Sequence, residues 1–355
     1  MPTLQNLTTL TSQAVRNAWA ISPLGDGIER YDGLGTTTVY DLAHRHLMRY
    51  TAPDAAPAVT PGTRPVLLVP PLAVSIRCYD LRPGQSLAAH LVGSGRATYV
   101  IDYGEIGFAD RAMGFEDWID DILPTAVEAV SLAHGNSEVD VVGWSLGGTM
   151  TLLTAASHPQ LPIASITAFG TPIDYSLNPA TKPFAMLDKH LGTWLTTLPT
   201  AAMGGVPKQV VRTSYRAMAP KRELTKAVFL AKNILDVEAL GRTEAVDDFI
   251  GSMPGYPGRA YHQIHSRLMT RNELATGRVE LSRERVVELS RIDARVLFIG
   301  SNTDNIGPGA SVRAGVEVVP GARYAAADGL SHLGLIAGVT APQVSWPLLD
   351  EFLAH

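Results

Sequence analysis

The chain has 355 residues, is 46% apolar and carries a formal net charge of −5, enough for a large domain whose core needs no metal or disulfide. Lys and Arg are scattered without the basic stripe that nucleic-acid binding requires, and no run reaches the roughly 18 apolar residues of a membrane span. The single cysteine, Cys78, excludes an intramolecular disulfide and any multi-cysteine metal site.

The N-terminus, MPTLQNLTTLTSQAVRNAWAISPLG, lacks the charged start and apolar centre of a signal peptide. The expectation is a soluble cytoplasmic protein, with peripheral contact to a membrane or lipid droplet left open. Residues 1–60 read as an N-terminal helical arm followed by a Pro/Ala-rich linker, Thr51–Arg64. The arm would pack on the body or mediate a homodimer. Short apolar runs then recur at Val66–Val69, Ala97–Asp102, Val139–Val142, Ile163–Phe169 and Arg295–Gly300. Such runs suit strands buried on both faces. Helical patterns at Phe115–Ala133 and Gly147–Ser157 lie between them. Strands alternating with helices predict an α/β fold, a mostly parallel sheet covered on both sides.

The alternation stops over residues 175–287, a helix-rich stretch interrupted by Pro and Gly. It is expected to form a cap or lid on a core made of residues 61–174 and 288–355. Five of the nine methionines fall there (Met186, Met203, Met218, Met253 and Met269). They suit either ordinary helix packing or an adaptable apolar acyl pocket.

Gly143-Trp144-Ser145-Leu146-Gly147 carries the sharpest chemical signal. G-x-S-x-G alone arises by chance, but here a strand precedes it and a helix follows, the context of a nucleophile elbow. So tight a turn needs small neighbours and presents the hydroxyl at the carboxyl end of the sheet. The helix start also turns free N–H groups toward the site, so the Leu146 amide can stabilise an oxyanion. A second donor is expected from the loop after Val66–Val69. Pro70 and Pro71 have no N–H, which leaves Leu72 or Ala73.

A serine needs a base to become nucleophilic, and a strand–elbow–helix site orders its triad as serine, acid, histidine. Of ten histidines, only His332 and the terminal His355 follow the last confident strand. His332 lies in a Gly-containing loop after the strand-like segment Arg323–Ala326. The acid should follow a strand end, which favours Asp304 after Arg295–Gly300, with Asp174 and Asp328 as rivals. The histidines lack a metalloprotease HExxH pattern and His262 and His265 read as cap residues. No phosphate-cradling GxxxxGK[ST] loop is present. Neither a metal nor a bound cofactor is expected.

From about Pro65 onward the chain resembles the polyhydroxyalkanoate synthases of the α/β-hydrolase superfamily. The likeness rests on Pro70-Pro71, Asp80-Leu81, Pro83 and Ser86-Leu87, then Phe115-Glu116-Asp117-Trp118-Ile119. It continues through Gly147-Gly148-Thr149, Ser165-Ile166-Thr167, Pro172-Ile173-Asp174-Tyr175 and Arg271-Asn272-Glu273-Leu274. The resemblance implies an α/β-hydrolase fold and puts the family's aspartate on Asp304 and its histidine on His332. It departs at the nucleophile, a cysteine in the synthases and Ser145 here. It departs also at Val74-Ser75-Ile76-Arg77, where the synthases carry an Asn-Lys-aromatic-aromatic run. The polar-aromatic signature expected late in the synthase cap is missing around Met253–Tyr261.

A thiolate exchanges acyl groups readily with a thioester, whereas a serine forms an oxygen ester and depends on its base. The expected activity is therefore an esterase or lipase-like acyl hydrolase acting on a small-molecule ester or acyl substrate. The alternatives are an acyltransferase or polymer synthase using hydroxyacyl-CoA, and a non-catalytic binding protein on a hydrolase fold.

Overall fold

In the computed structural model the described residues are 4–22, 24–28, 31–51, 59–179, 181, 200, 203–217 and 220–355. Eight strands form one sheet: β1 (Thr36–Leu42), β2 (Arg45–Tyr50), β3 (Val66–Val69), β4 (Thr98–Asp102), β5 (Val139–Trp144), β6 (Ile163–Phe169), β11 (Arg295–Gly300) and β12 (Arg323–Ala326). Their order is β1-β2-β4-β3-β5-β6-β11-β12. β2 runs antiparallel to β1 and β4, and every pairing from β4 to β12 is parallel. The numbers β7 (Gly205–Val206), β8 (Tyr256–Pro257), β9 (Arg278–Glu280) and β10 (Val286–Glu288) belong to two small antiparallel ribbons.

The apolar runs become the centre of the sheet. Every residue of β3 and β5 is buried, because helices cover both faces and leave no polar side for the strands to alternate toward. The helix Leu146–Ser157, which follows β5, is buried from Gly147 through Ala156. Its threonines are tolerated there because Thr151 and Thr154 donate to the Gly147 and Met150 carbonyls one turn back. A carboxylate also sits in β5: Asp140, fully buried, takes a hydrogen bond from Ser165 at 2.6 Å and faces Arg64 and Arg96.

Ahead of the linker the structure corrects the reading of a purely helical arm. Leu4–Ala20 is helical, but β1 and β2 follow it and add a hairpin to the sheet edge. Thr36-Thr37-Thr38-Val39-Tyr40 is rich in β-branched and aromatic residues, but most of β1 is solvent-exposed. An exposed edge strand gives no apolar run by which a sequence would mark it. Residues 52–58 of the expected linker lie outside the described residues.

The stretch between β6 and β11 contains the helices Lys208–Ala217, Pro220–Lys232 and Val237–Gly251. Asp174, at the start of this stretch, accepts from Asn272 Nδ2 at 2.8 Å, and Asn272 Oδ1 accepts from the Tyr175 N–H. These bonds pin its two ends together. Met186 and Met218 lie outside the described residues. Of the other three, Met253 is buried in the same core cluster as Phe249, Met269 packs against the cluster on the other side of the core, and Met203 is about half exposed. Among the described residues no helix is long and apolar enough to cross a membrane.

Candidate active site

Ser145 follows the last residue of β5 and precedes the first residue of the helix Leu146–Ser157. Its backbone sits at φ 54° and ψ −123°, a region almost reserved for glycine that costs about 1–3 kcal/mol for any other residue. The conformation is held from several sides. The Ser145 N–H donates to Phe169 O at 2.8 Å, and Thr171 Oγ1 donates to Ser145 O at 3.1 Å.

The elbow's glycines are dictated by contact. A Cβ on Gly143 would stand 2.6 Å from Gly148 N, and one on Gly148 would stand 2.0 Å from Thr171 Oγ1. At Gly147 it would meet Val69 O at 2.1 Å and Pro70 O at 2.8 Å. Gly147 is therefore where the elbow helix touches the Pro70-Pro71 loop. Gly147→Ala is expected to destabilise the protein by about 3 kcal/mol, because backbone must move to admit the methyl group. Urea unfolding checks this; an unchanged midpoint would show that the two backbones are not locked together.

That loop is fixed from below. Tyr79 and Tyr103 donate their hydroxyls to Val69 O at 2.7 Å and Pro70 O at 3.0 Å. The chain then turns, with Val74 N–H donating to Pro71 O and Ala73 at φ 60°. The amides of Leu72, Ala73 and Leu146 donate to no other described residue. Free N–H groups on both sides of the Gly147 contact are donors of the type that can stabilise an oxyanion.

Asp304 and His332 meet. His332 Nδ1 lies 2.7 Å from Asp304 Oδ2, and both side chains are buried. Asp304 Oδ1 accepts from the Ile306 and Gly307 N–H groups at 2.8 and 2.9 Å, so the carboxylate oxygens are shared between two backbone donors and one imidazole. Burial pushes the Asp304 carboxyl up, but the charge and hydrogen bond of His332 and the two backbone donors outweigh it. They hold it below the ordinary carboxylate range. A carboxyl depressed in the native state stabilises the fold above its unfolded pKa of about 3.9, and loses that contribution as pH falls through the lower native value. The stability difference between wild type and Asp304→Asn, measured by urea unfolding, should therefore narrow as pH drops below that range.

With Nδ1 engaged, the other ring nitrogen decides the chemistry. His332 Nε2 is buried and has no hydrogen-bond partner among the described residues. The His332 ring packs on Trp144 at 4.9 Å between centroids, and Trp144 Nε1 donates to His332 O at 3.1 Å. The residue before the serine thus holds the histidine loop. Gly170, at φ 52°, lies just beyond the Phe169 carbonyl that Ser145 binds, and a Cβ there would meet Asp304 Oδ2 and His332 Cε1, each at 3.2 Å. Thr303 Oγ1 donates to Leu330 O at 2.9 Å, joining the acid loop to the histidine loop.

The rivals are elsewhere. Asp174 is occupied by Ser176 and Asn272. Asp328 is exposed and accepts from the Asn302 N–H. Cys78 is fully buried, and burial pushes its thiol well up, away from the reactive thiolate. Sequence reasoning missed Trp144, Gly170, Thr171 and Thr303; the Gly-Thr pair immediately after a buried strand was the available sign.

A cavity of about 330 Å³ opens beside the pair, lined by His332, Trp144, Thr303 and Ile306 and by Tyr215 and Phe249 of the stretch between β6 and β11. Ser145 is not one of its wall residues, and neither are the described methionines. Of the two readings for the methionines, packing fits Met253, which is buried in the core, and this cavity is lined by aromatic side chains instead.

The family model of the alpha/beta hydrolase fold matches residues 77–336. The chain is similar to the poly(3-hydroxyalkanoate) polymerase subunit PhaC of Allochromatium vinosum, 26% identical over 323 residues, which is 89% of this chain and 87% of that protein. The same subunit of Thiocystis violacea is 25% identical over 297 residues, 81% of each chain. Among solved structures, the esterase RhEst1 from Rhodococcus sp. ECU1013 superposes with a TM-score of 0.51 at 15% identity, covering 91% of this chain and 99% of that one. A putative non-heme bromoperoxidase, BpoC of Mycobacterium tuberculosis H37Rv, gives 0.51 at 16% identity, covering 85% and 98%. At such identities these two likenesses speak for the fold alone.

Proposed function

The chain belongs to the α/β-hydrolase fold family, and from that premise we propose that it is an esterase or lipase-like acyl hydrolase working through an acyl-serine at Ser145. The observation that carries the reading is the histidine: Nδ1 bound to a buried carboxylate, Nε2 buried without a partner, on a loop tied to the residue beside an elbow serine. A solvent-shielded imidazole nitrogen with its lone pair free is what a general base for the serine requires.

In this mechanism Ser145 Oγ attacks the ester carbonyl carbon as His332 Nε2 takes its proton. Asp304 holds the imidazole in the Nδ1–H tautomer and offsets the charge of the imidazolium. The Leu146 amide, with Leu72 or Ala73, holds the developing oxyanion. The C–O bond to the alcohol then breaks, and the alcohol leaves with the proton from His332. Water deprotonated by the same nitrogen attacks the acyl carbon, the bond to Ser145 Oγ breaks with return of that proton to Oγ, and the acid is released. The insertion acts as a cap, and Tyr215 and Phe249 give the acyl chain apolar contact. A cytoplasmic setting belongs to the same proposal.

A second reading has its own support. Similarity to a polymerase subunit over 89% of the chain favours transfer of the acyl group to a hydroxyl instead of water. The resemblance implies a cysteine nucleophile in those enzymes, and the serine here is why hydrolysis is preferred. The discriminating experiment offers purified protein p-nitrophenyl esters of graded chain length and, separately, a hydroxyacyl-CoA. Ester turnover with free acid as product supports the hydrolase. Chain growth from the thioester, with negligible free acid, would overturn it in favour of the transferase.

A further inference from the structure

We propose that the insertion and the N-terminal helix together form a docking surface for an anionic lipid bilayer. The proposal rests first on a helix that is turned inside out. A surface helix ordinarily buries its apolar stripe and shows its charges to water. In Pro220–Lys232, Arg222 and Lys226 turn toward the helix Val237–Gly251 and both bind its Asp247, at 2.7 and 2.6 Å. Leu224 and Val228, one turn apart, are 83% and 55% exposed, with Phe229 beside them at 42%. The fold has turned polar residues toward the neighbouring helix and left Leu224, Val228 and Phe229 exposed.

The N-terminal helix extends the surface. Asn17 donates to Ile234 O at 2.7 Å, which sets Leu4–Ala20 against the end of the inverted helix. Around that contact Val15 and Trp19 are 64% and 59% exposed. Exposed apolar groups thus stand on both of the elements that this bond joins, more than the isolated leucine or valine that any surface carries.

Charge selects the occupant. Residues 203–237 hold seven Lys and Arg, of which Lys208 pairs with Glu105 and Arg222 and Lys226 with Asp247, in a chain whose total charge is −5. Arg16, Arg216 and Lys232 have no ion-pair partner among the described residues. A second copy of the chain would bring the same positive field against itself. An anionic bilayer supplies both an apolar interior for Leu224 and Val228 and negative head groups for the cations, with a tryptophan suited to the boundary. Arg216 also lines the cavity that reaches His332. The binding itself does not depend on the chemistry proposed for Ser145.

The test is cosedimentation of the full chain with phosphatidylcholine vesicles, with and without phosphatidylglycerol. The expected result is binding to the phosphatidylglycerol vesicles that weakens as salt is raised to about 0.5 M. Leu224→Glu with Val228→Glu should abolish it, and Arg216→Glu with Lys232→Glu should lower the bound fraction by about tenfold or more. All four side chains are exposed or unpaired, so thermal unfolding should be unchanged and loss of binding cannot be put down to misfolding. No binding to anionic vesicles, equal binding by the variants, or a dimer in solution that Leu224→Glu dissociates would each overturn the proposal.

Discussion

Replacing Ser145 with alanine should lower kcat/KM for a good ester substrate by about 10⁴–10⁶-fold, leaving only what the oxyanion donors supply. The reasoning is geometric. The serine has no role in packing that alanine would forfeit, since what fixes it are backbone bonds to Phe169 and from Thr171. Folding should therefore survive while activity does not. Ser145→Gly separates the two properties further. At φ 54° and ψ −123° the wild-type residue carries strain that glycine lacks, so this variant should be inactive yet more stable by about 1 kcal/mol in urea unfolding. A Ser145→Ala protein with wild-type turnover would mean that the hydrolysis comes from another group. A Ser145→Gly protein less stable than wild type would mean that the elbow is not strained.

Asp304→Asn should be nearly as damaging, about 10⁴-fold in kcat. The amide can still sit within the loop and meet some of the same partners, so KM should change little. It does not enforce the same tautomer or offset the imidazolium, so the loss falls on the transition state. Asp328→Asn is the control. Its carboxylate is exposed and bound only to the Asn302 N–H, so turnover should stay within about twofold and stability within about 0.5 kcal/mol. If Asp328→Asn were the more damaging of the two, the assignment of the acid would have to change.

Much of this architecture could be read from residues alone, for a physical reason. Strands buried on both faces become uninterrupted apolar runs, so β3, β5, β6 and β11 announce themselves. The elbow is equally legible, because its close contacts at Gly143, Gly147 and Gly148 exclude every side chain, and such exclusion leaves glycines at fixed offsets. The edge hairpin β1–β2 was not legible. Its exposed threonines pattern like a loop, and its partner β4 lies some fifty residues on. Trp144 and Thr303 escaped for another reason: their work is to bond backbone carbonyls of a distant loop, and no local spacing encodes that. The inverted helix Pro220–Lys232 escaped because heptad patterns reveal that a helix has two faces, while Asp247 decides which of them turns inward.

The most direct test of the central claim is covalent. Intact-mass analysis after treatment with a fluorophosphonate, which captures a serine only when a neighbouring base activates it, should give a single adduct, and peptide mapping should place it on Ser145. The rate should fall by about 10³-fold or more in His332→Ala, and Ser145→Ala should remain unlabelled. Absence of an adduct on the wild-type protein, or equal labelling of Ser145→Ala, would contradict the assignment of Ser145 as the nucleophile.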